Sequence, residues 1–185
     1  KYLSPEISAV SADDEGITME NFAALPMMSD MPSAAGAATA MALPALYKVR
    51  RQAYRAASMA NLHGLAMACM AYEIEHMRQP PGLAVLIDQG YISASALRSP
   101  HNDSPPPTVE DGQLIGESDY VYVKPASDDL AESGLILLYE RPGHYRGEGT
   151  VVAFADGHVE FLSMDEFERA LADTEAANAE VLADE

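Results

Sequence analysis

Apolar and polar positions alternate in three regimes along the chain. Residues 1–33 mix acids (Asp13, Asp14, Glu15), prolines (Pro5, Pro26, Pro32) and isolated apolar residues, with Met19, Met27, Met28 and Met31 among them. Neither a helical nor a strand period persists there, so the stretch reads as an irregular arm or the remnant of an upstream domain. From Ala34 to about Met77 helix formers dominate. Ser58, Leu62, Leu65, Cys69 and Tyr72 recur at the three-four spacing of one helical face. Two breakers lie inside: Pro44, a kink or a first-turn proline, and Gly64, which costs about 1 kcal/mol against Ala. Pro80-Pro81-Gly82 ends the helix.

Leu83, Leu86, Ile87, Tyr91, Ile92 and Leu97 form a second short helical pattern, with Ser93 as cap of a final turn. Residues 99–116 carry Pro100, Pro105, Pro106, Pro107 and Gly112 and read as loop. Strand formers then predict β structure over 119–124, 134–140, 150–155 and 158–162. Asp156-Gly157, between the last two, is a strong hairpin signal whose tight turn uses positive φ angles. Ser163 and Glu166 form a capping box for a terminal helix that presents Phe167, Leu171 and Leu182. Its end, residues 169–185, reads as an acidic helical tail that frays. A run of helix followed by a run of strands is α+β. The expected domain, residues 34–168, lays one long helix on an antiparallel sheet of about four strands. The Leu62, Leu65 and Cys69 stripe should be sealed against the sheet's inner side.

Composition narrows the function. Twenty-nine acids against eleven bases leave a net charge of −18 on 185 residues. Such a surface repels polyphosphate, which argues against nucleic-acid binding. It suits plain solvation, and also hard cations such as Ca²⁺. Lys48, Arg50, Arg51 and Arg55 crowd the first turns of the main helix. They either face lipid headgroups or a neighbouring subunit's acids, or salt-bridge the acidic remainder of this chain. The single Cys69 makes no internal disulfide and reads as a small buried hydrophobe. No stretch of about 18 uninterrupted apolar residues spans a membrane. The chain starts at Lys1, not Met, which leads one to expect that something upstream has been removed.

One constellation has the residue types for chemistry: His144, Asp156 and His158, a metal-ligating or acid–base set if the three meet near the hairpin. The plainer reading is that a histidine beside an Asp-Gly turn hydrogen-bonds the loop into place. No nucleophile elbow, phosphate loop or dinucleotide fingerprint occurs. His63 lacks a ligand at one-turn spacing and His76 has only Glu73, so both read as flank residues. Cys69, among apolar neighbours, lacks the electropositive setting of a nucleophile. The chain reads as no enzyme.

Several segments, in order, resemble one family. They are Leu43-Pro44-Ala45-Leu46, the basic cluster through Arg55, Asn61-Leu62 and the helix to Ala71-Tyr72, then Pro81, Leu86 and Tyr91-Ile92. Gly143-His144 and Phe154-Ala155-Asp156-Gly157-His158-Val159 complete the series. Together, over residues 40–168, they resemble pilin-like proteins of type II secretion pseudopilin type, those with the prepilin-type, processing-associated His…Asp-Gly signature abundant in planctomycetes. The resemblance implies a pilin-like fold and a structural or assembly subunit acting by helix-mediated packing. It implies other pilin-like subunits or secretion and envelope components as partners. The location would be extracytoplasmic, with a membrane tether only through an upstream segment. A soluble extracytoplasmic module that captures a metal or Ca²⁺ on the same fold is the alternative. Some pseudopilins bind Ca²⁺ in a loop among their C-terminal strands, and Asp128, Asp129 and Glu132 in a strand connection here would supply oxygens, a solvated acidic loop being the plainer reading. Many members carry a cysteine just before the Asn-Leu pair and another in a Cys-Pro after the connecting helix. Ser58-Met59 and Ser99-Pro100 stand at those places here, lost together as a bridged pair would be.

Overall fold

The computed structural model describes residues 7–13, 16–22, 34–126 and 134–183, with side-chain surroundings from Leu46 onward, Leu182 excepted. The chain forms two units, Lys1–Leu43 and Pro44–Glu185. In the first, β1 (Ile7–Asp13) and β2 (Gly16–Phe22) pair antiparallel, Ile7 opposite Phe22 and Asp13 opposite Gly16. Part of the stretch expected to be irregular is therefore a hairpin. Its register explains why the pattern was hard to see. Val10 pairs with Met19 and Ala12 with Ile17, whereas Ala9 pairs with Glu20 and Ser11 with Thr18. The apolar set becomes a face only once the strands are aligned.

The long helix α1 spans Ala34–His76 and passes through Pro44, where the boundary between the units falls. After it come α2 (Leu83–Asp88), a 3₁₀ turn (Ala94–Leu97), β3 (Thr108–Glu110) and β4 (Gln113–Ile115). Next are β5 (Tyr120–Tyr122), β6 (Ile136–Glu140), β7 (Gly149–Phe154), β8 (Val159–Ser163) and α3 (Met164–Ala183). The four expected strands form one antiparallel meander, β5-β6-β7-β8, so the α+β class is observed.

Two local expectations are corrected. The 99–116 stretch is not all loop, because β3 and β4 form a hairpin with Glu110 opposite Gln113. Its turn residues Asp111 and Gly112 both have positive φ, +51° and +74°. This is the primed two-residue turn that Asp-Gly favours, hidden in the sequence behind three prolines. Ser93, expected as a cap, makes no capping bond, and its hydroxyl meets that of Ser95 at 2.8 Å.

The sheet separates two cores. Val151, Ala153 and Ala155 look toward α1, where they join Leu62, Leu65, Ala66, Cys69 and Tyr72. Val152 and Phe154, alternating with them, look toward α3 and meet Leu162 and Phe167. Every residue of β7 is buried, as a central strand covered on both faces requires. A bulge in β6 between Ile136 and Leu138 lets Leu137 and Leu138 both enter the α1 side. Leu62, Leu65 and Cys69 are 0% exposed, so the expected seal is present. Each leucine buried in this way contributes about 1.5–3 kcal/mol.

Behind the sheet, α3 opens on the expected capping box. The Ser163 N–H and hydroxyl donate to Glu166 Oε2 at 3.0 and 2.6 Å, and the Glu166 N–H points back to Ser163 Oγ at 3.4 Å. From residue 169 the tail stays helical to Ala183. Thr174, 2% exposed, accepts the Ile136 N–H on Oγ1 at 3.0 Å, and Asn178 accepts the Ala126 N–H at 2.9 Å. These small polar residues, four apart, continue the buried face begun by Phe167 and Ala170, while the acids point outward.

Two glycines should respond in opposite directions to Ala. At Gly149 a Cβ would lie 1.9 Å from the Leu162 carbonyl oxygen, so Gly149→Ala must push β7 and β8 apart. It should cost about 1–3 kcal/mol in urea unfolding. At Gly64 a Cβ meets nothing within 4 Å, so Gly64→Ala should stabilise by about 1 kcal/mol in the same measurement.

Candidate functional site

The Asp156-Gly157 hairpin is built as a three-residue loop, not the expected two-residue turn. Gly157 N–H bonds Phe154 O at 2.9 Å, and Phe154 N–H bonds His158 O at 3.0 Å. Only Gly157 takes positive φ, +87°, the pattern of a type I turn followed by a left-handed residue. Asp156 Oδ1 accepts the His158 backbone N–H at 3.0 Å and lies 2.5 Å from His158 Nδ1. These bonds, the backbone one first, hold the Asp156 carboxyl below the usual range. The His158 ring stacks on Phe154 with centroids 4.2 Å apart, and His63 Nδ1 lies 3.3 Å from Gly157 O. The loop residues thus tie the turn to itself and to α1.

His144 does not join Asp156 and His158. Its ring stacks on His101, centroids 5.2 Å apart and planes within 14°. Among the described residues no group of three or more His, Cys, Asp or Glu is placed to hold a metal ion. The proposed set therefore separates into an Asp156–His158 pair and a His144–His101 stack. Asp128, Asp129 and Glu132, the candidate Ca²⁺ ligands, lie outside the described residues.

A polar cluster that the sequence reading missed lies between α1, the Arg98–Pro107 stretch and β6. Glu140, 0% exposed, receives the Ser58 hydroxyl at 3.1 Å and the Ser99 hydroxyl at 2.5 Å, both on Oε1. The Tyr145 hydroxyl donates to Oε2 at 2.9 Å. Burial pushes the Tyr145 phenol up, and takes that of neighbouring Tyr120 up to about 12. Next to this cluster, His101 contacts Tyr54 and Tyr145 edge-on, centroids 4.6 and 5.0 Å away. Its Nε2 is buried without a hydrogen-bond partner. Desolvation lowers the His101 pKa, with His144 and Arg50 adding to the effect and Glu140 opposing it. Asp119 anchors the stretch from behind through Ser99 N–H, Asn102 and Arg98 at 2.9, 2.8 and 3.3 Å. Burial acts to raise its carboxyl, but these bonds together hold it below the usual range. No signal marks Glu140 in the sequence, where an acid ending an apolar strand reads as a solvated end.

The basic cluster is largely used within the chain. Arg51 pairs with Glu148 at 2.6 Å, Arg50 donates to the Tyr54 hydroxyl at 2.8 Å, and the Arg55 guanidinium lies 3.4 Å from the Phe161 ring centroid. Burial pushes the Cys69 thiol up to about 12, which removes it as a nucleophile.

The most extended feature is the outward side of α1. Leu46, Ala53, Ala60, Met67 and Ile74 are seven residues apart, with Val49 and Ala56 three further on, a second row that ends at His63 and at the core-packed Met70. At about 100° per residue they fall roughly opposite the Leu62–Cys69 stripe. Leu46, Val49, Met67 and Ile74 are 59, 61, 48 and 75% exposed, and Met77, just past the helix end, is 84% exposed. No charged residue occupies these positions, although 22% of the chain is charged. This spacing was readable in the sequence. Its exposure was not, because an apolar helical position reads as core until the sheet shows which side it covers.

Comparison with family models, with curated proteins and with solved structures finds no match to this chain. Function must therefore be argued from the geometry.

Two outcomes follow from the buried cluster. Glu140→Ala leaves three hydroxyls without their acceptor and should cost about 2–5 kcal/mol in denaturant unfolding. His101, with a folded pKa below its ordinary 6.5, binds its proton more readily when unfolded. Its stabilising effect is complete above pH 6.5 and is lost as pH falls from there toward the folded value. The stability difference between wild type and His101→Phe should thus shift against wild type across that interval.

Proposed function

We propose that this chain is a non-enzymatic structural subunit of pilin or pseudopilin type that assembles through the outward face of α1. The observation that supports this reading is a helix with two opposite apolar faces. A helix packed on a sheet needs only one such face, and its other side is ordinarily polar. Here the second face is uncharged and in water, and a neighbour that covers it recovers about 25 cal/mol for each Å² of apolar surface removed. The seven-residue recurrence is the spacing at which two helices keep their seams in contact. Ala53, Ala56, Ala60 and Gly64 in the middle let another backbone approach closely, and the exposed methionines at one end adapt to an irregular surface.

On this reading the partners are further copies, other pilin-like subunits, or secretion and envelope components. The location is extracytoplasmic, and any membrane anchor belongs to an upstream segment. Among the described residues no helix is long and apolar enough to cross a membrane. Catalysis gains no support from the residues present. The buried Glu140 has no face open to substrate, and His144 stands apart from Asp156 and His158. The same separation removes the geometry on which metal capture by those three residues was expected.

Sedimentation velocity over a range of concentrations tests the assembly. Wild type should self-associate, and Met67→Glu with Ile74→Glu should weaken association by about a hundredfold, two buried charges at roughly 1.4 kcal/mol or more each. A wild-type chain that stays monomeric at millimolar concentration sinks the reading.

A further inference from the structure

The two edges of the main sheet are finished differently. At the β5 edge, the backbone groups of Tyr120 point away from β6, since Asp119 and Val123 bond toward it. The Ser118 hydroxyl occupies both of them, donating to Tyr120 O at 2.7 Å and accepting the Tyr120 N–H at 3.1 Å. At Tyr120 that edge is blunted by its own chain.

Among the described residues the β8 edge has no such device. Phe154 N–H bonds His158 O, and the register pairs Val152 with Glu160 and Thr150 with Leu162. Alternation along an antiparallel pair then turns the N–H and C=O of Val159 and Phe161 outward. These two donors and two acceptors, about 6.8 Å apart along the strand, have no partner among the described residues. An edge of this kind is a template for an added strand.

Side chains beside the edge state what that strand should carry. Val159 and Phe161 lie on the α1 face, and the Arg55 guanidinium sits over the Phe161 ring. Arg51 is paired with Glu148, but Arg55 pairs with no carboxylate among the described residues, in a chain with 29 acids and 11 bases. Glu160 lies on the opposite face, with its register partner Val152. We propose that the β8 edge receives an extended strand of a partner protein whose side chain on the α1 face is a carboxylate, held by Arg55. A second β8 fits poorly in this place. It would bring its acid, Glu160, to the wrong face and set two Arg55 guanidinium groups against each other. The site is separate from the outward face of α1 and stands or falls independently of it.

The test uses the whole ¹⁵N-labelled chain and three blocked pentapeptides. One is Thr-Val-Glu-Val-Thr, one has Gln for Glu, and one keeps Glu but is N-methylated at alternate amides. Without peptide, the Val159 and Phe161 amides should exchange rapidly with deuterium. The Glu peptide should slow both and shift their resonances. The Gln peptide, the methylated peptide and the Arg55→Gln variant with the Glu peptide should each bind about tenfold more weakly or worse. Equal binding of the Glu and Gln peptides removes the role of Arg55. Equal binding of the methylated peptide removes strand addition. Amides already protected in the free protein, in a concentration-dependent way, would show the edge taken by another copy and overturn the proposed partner. Resonance shifts confined to other residues overturn the site itself.

Discussion

The second unit is organised around the seal between one stripe of α1 and the inner face of β6 and β7. Leu62, Leu65 and Cys69 lie in full burial against Leu137, Leu138, Val151 and Ala153. Removing this apolar surface from water is the largest favourable term available to a chain without tryptophan and with four phenylalanines. The remaining features follow from it. β7 must be apolar on both faces because α1 and α3 cover both, and the β6 bulge exists where two consecutive leucines enter the same core. The α1 side not used by the seal is left to the solvent.

Glu140 sets the position of the seal. An apolar interface alone tolerates sliding, since burial is non-directional. A buried carboxylate bound by hydroxyls from α1, from the connecting segment and from the β6–β7 link tolerates very little. Ser58 and Ser99, from two segments distant along the chain, converge on one oxygen of Glu140, so those segments are joined by hydroxyl–carboxylate bonds.

The surface divides along similar lines. In the middle of α1, Arg51 meets Glu148, Arg50 meets Tyr54 and Arg55 meets Phe161, and the outward stripe carries no charge. The acids of α3 lie on the far side of the sheet. This segregation gives the molecule one apolar, uncharged face suited to a neighbouring helix. It also leaves one open strand edge with a cation beside it. The two proposals ask different things of a partner, one a helix with small or adaptable side chains and one an extended acidic strand.

The amino-acid sequence by itself determined the elements whose signals are local. The long helix, four strands and the capping box of Ser163 and Glu166 depend on period, propensity and bonds between residues a few positions apart. So did the identity of the α1 stripe that enters the core. Tertiary structure alone decided the rest, because those features join residues distant along the chain. Glu140 becomes the centre of a network only when residues 58, 99 and 145 are brought around it. His144 stacks on His101, apart from Asp156 and His158, a pairing that joins residues 43 positions apart. The tail is held by Thr174 and Asn178 reaching backbone groups at residues 136 and 126. Which of two apolar helix faces meets water, and which sheet edge stays open, depend on the direction in which α1 and β8 finally lie. Local pattern cannot encode that direction, since both faces of α1 carry apolar residues at helical spacing.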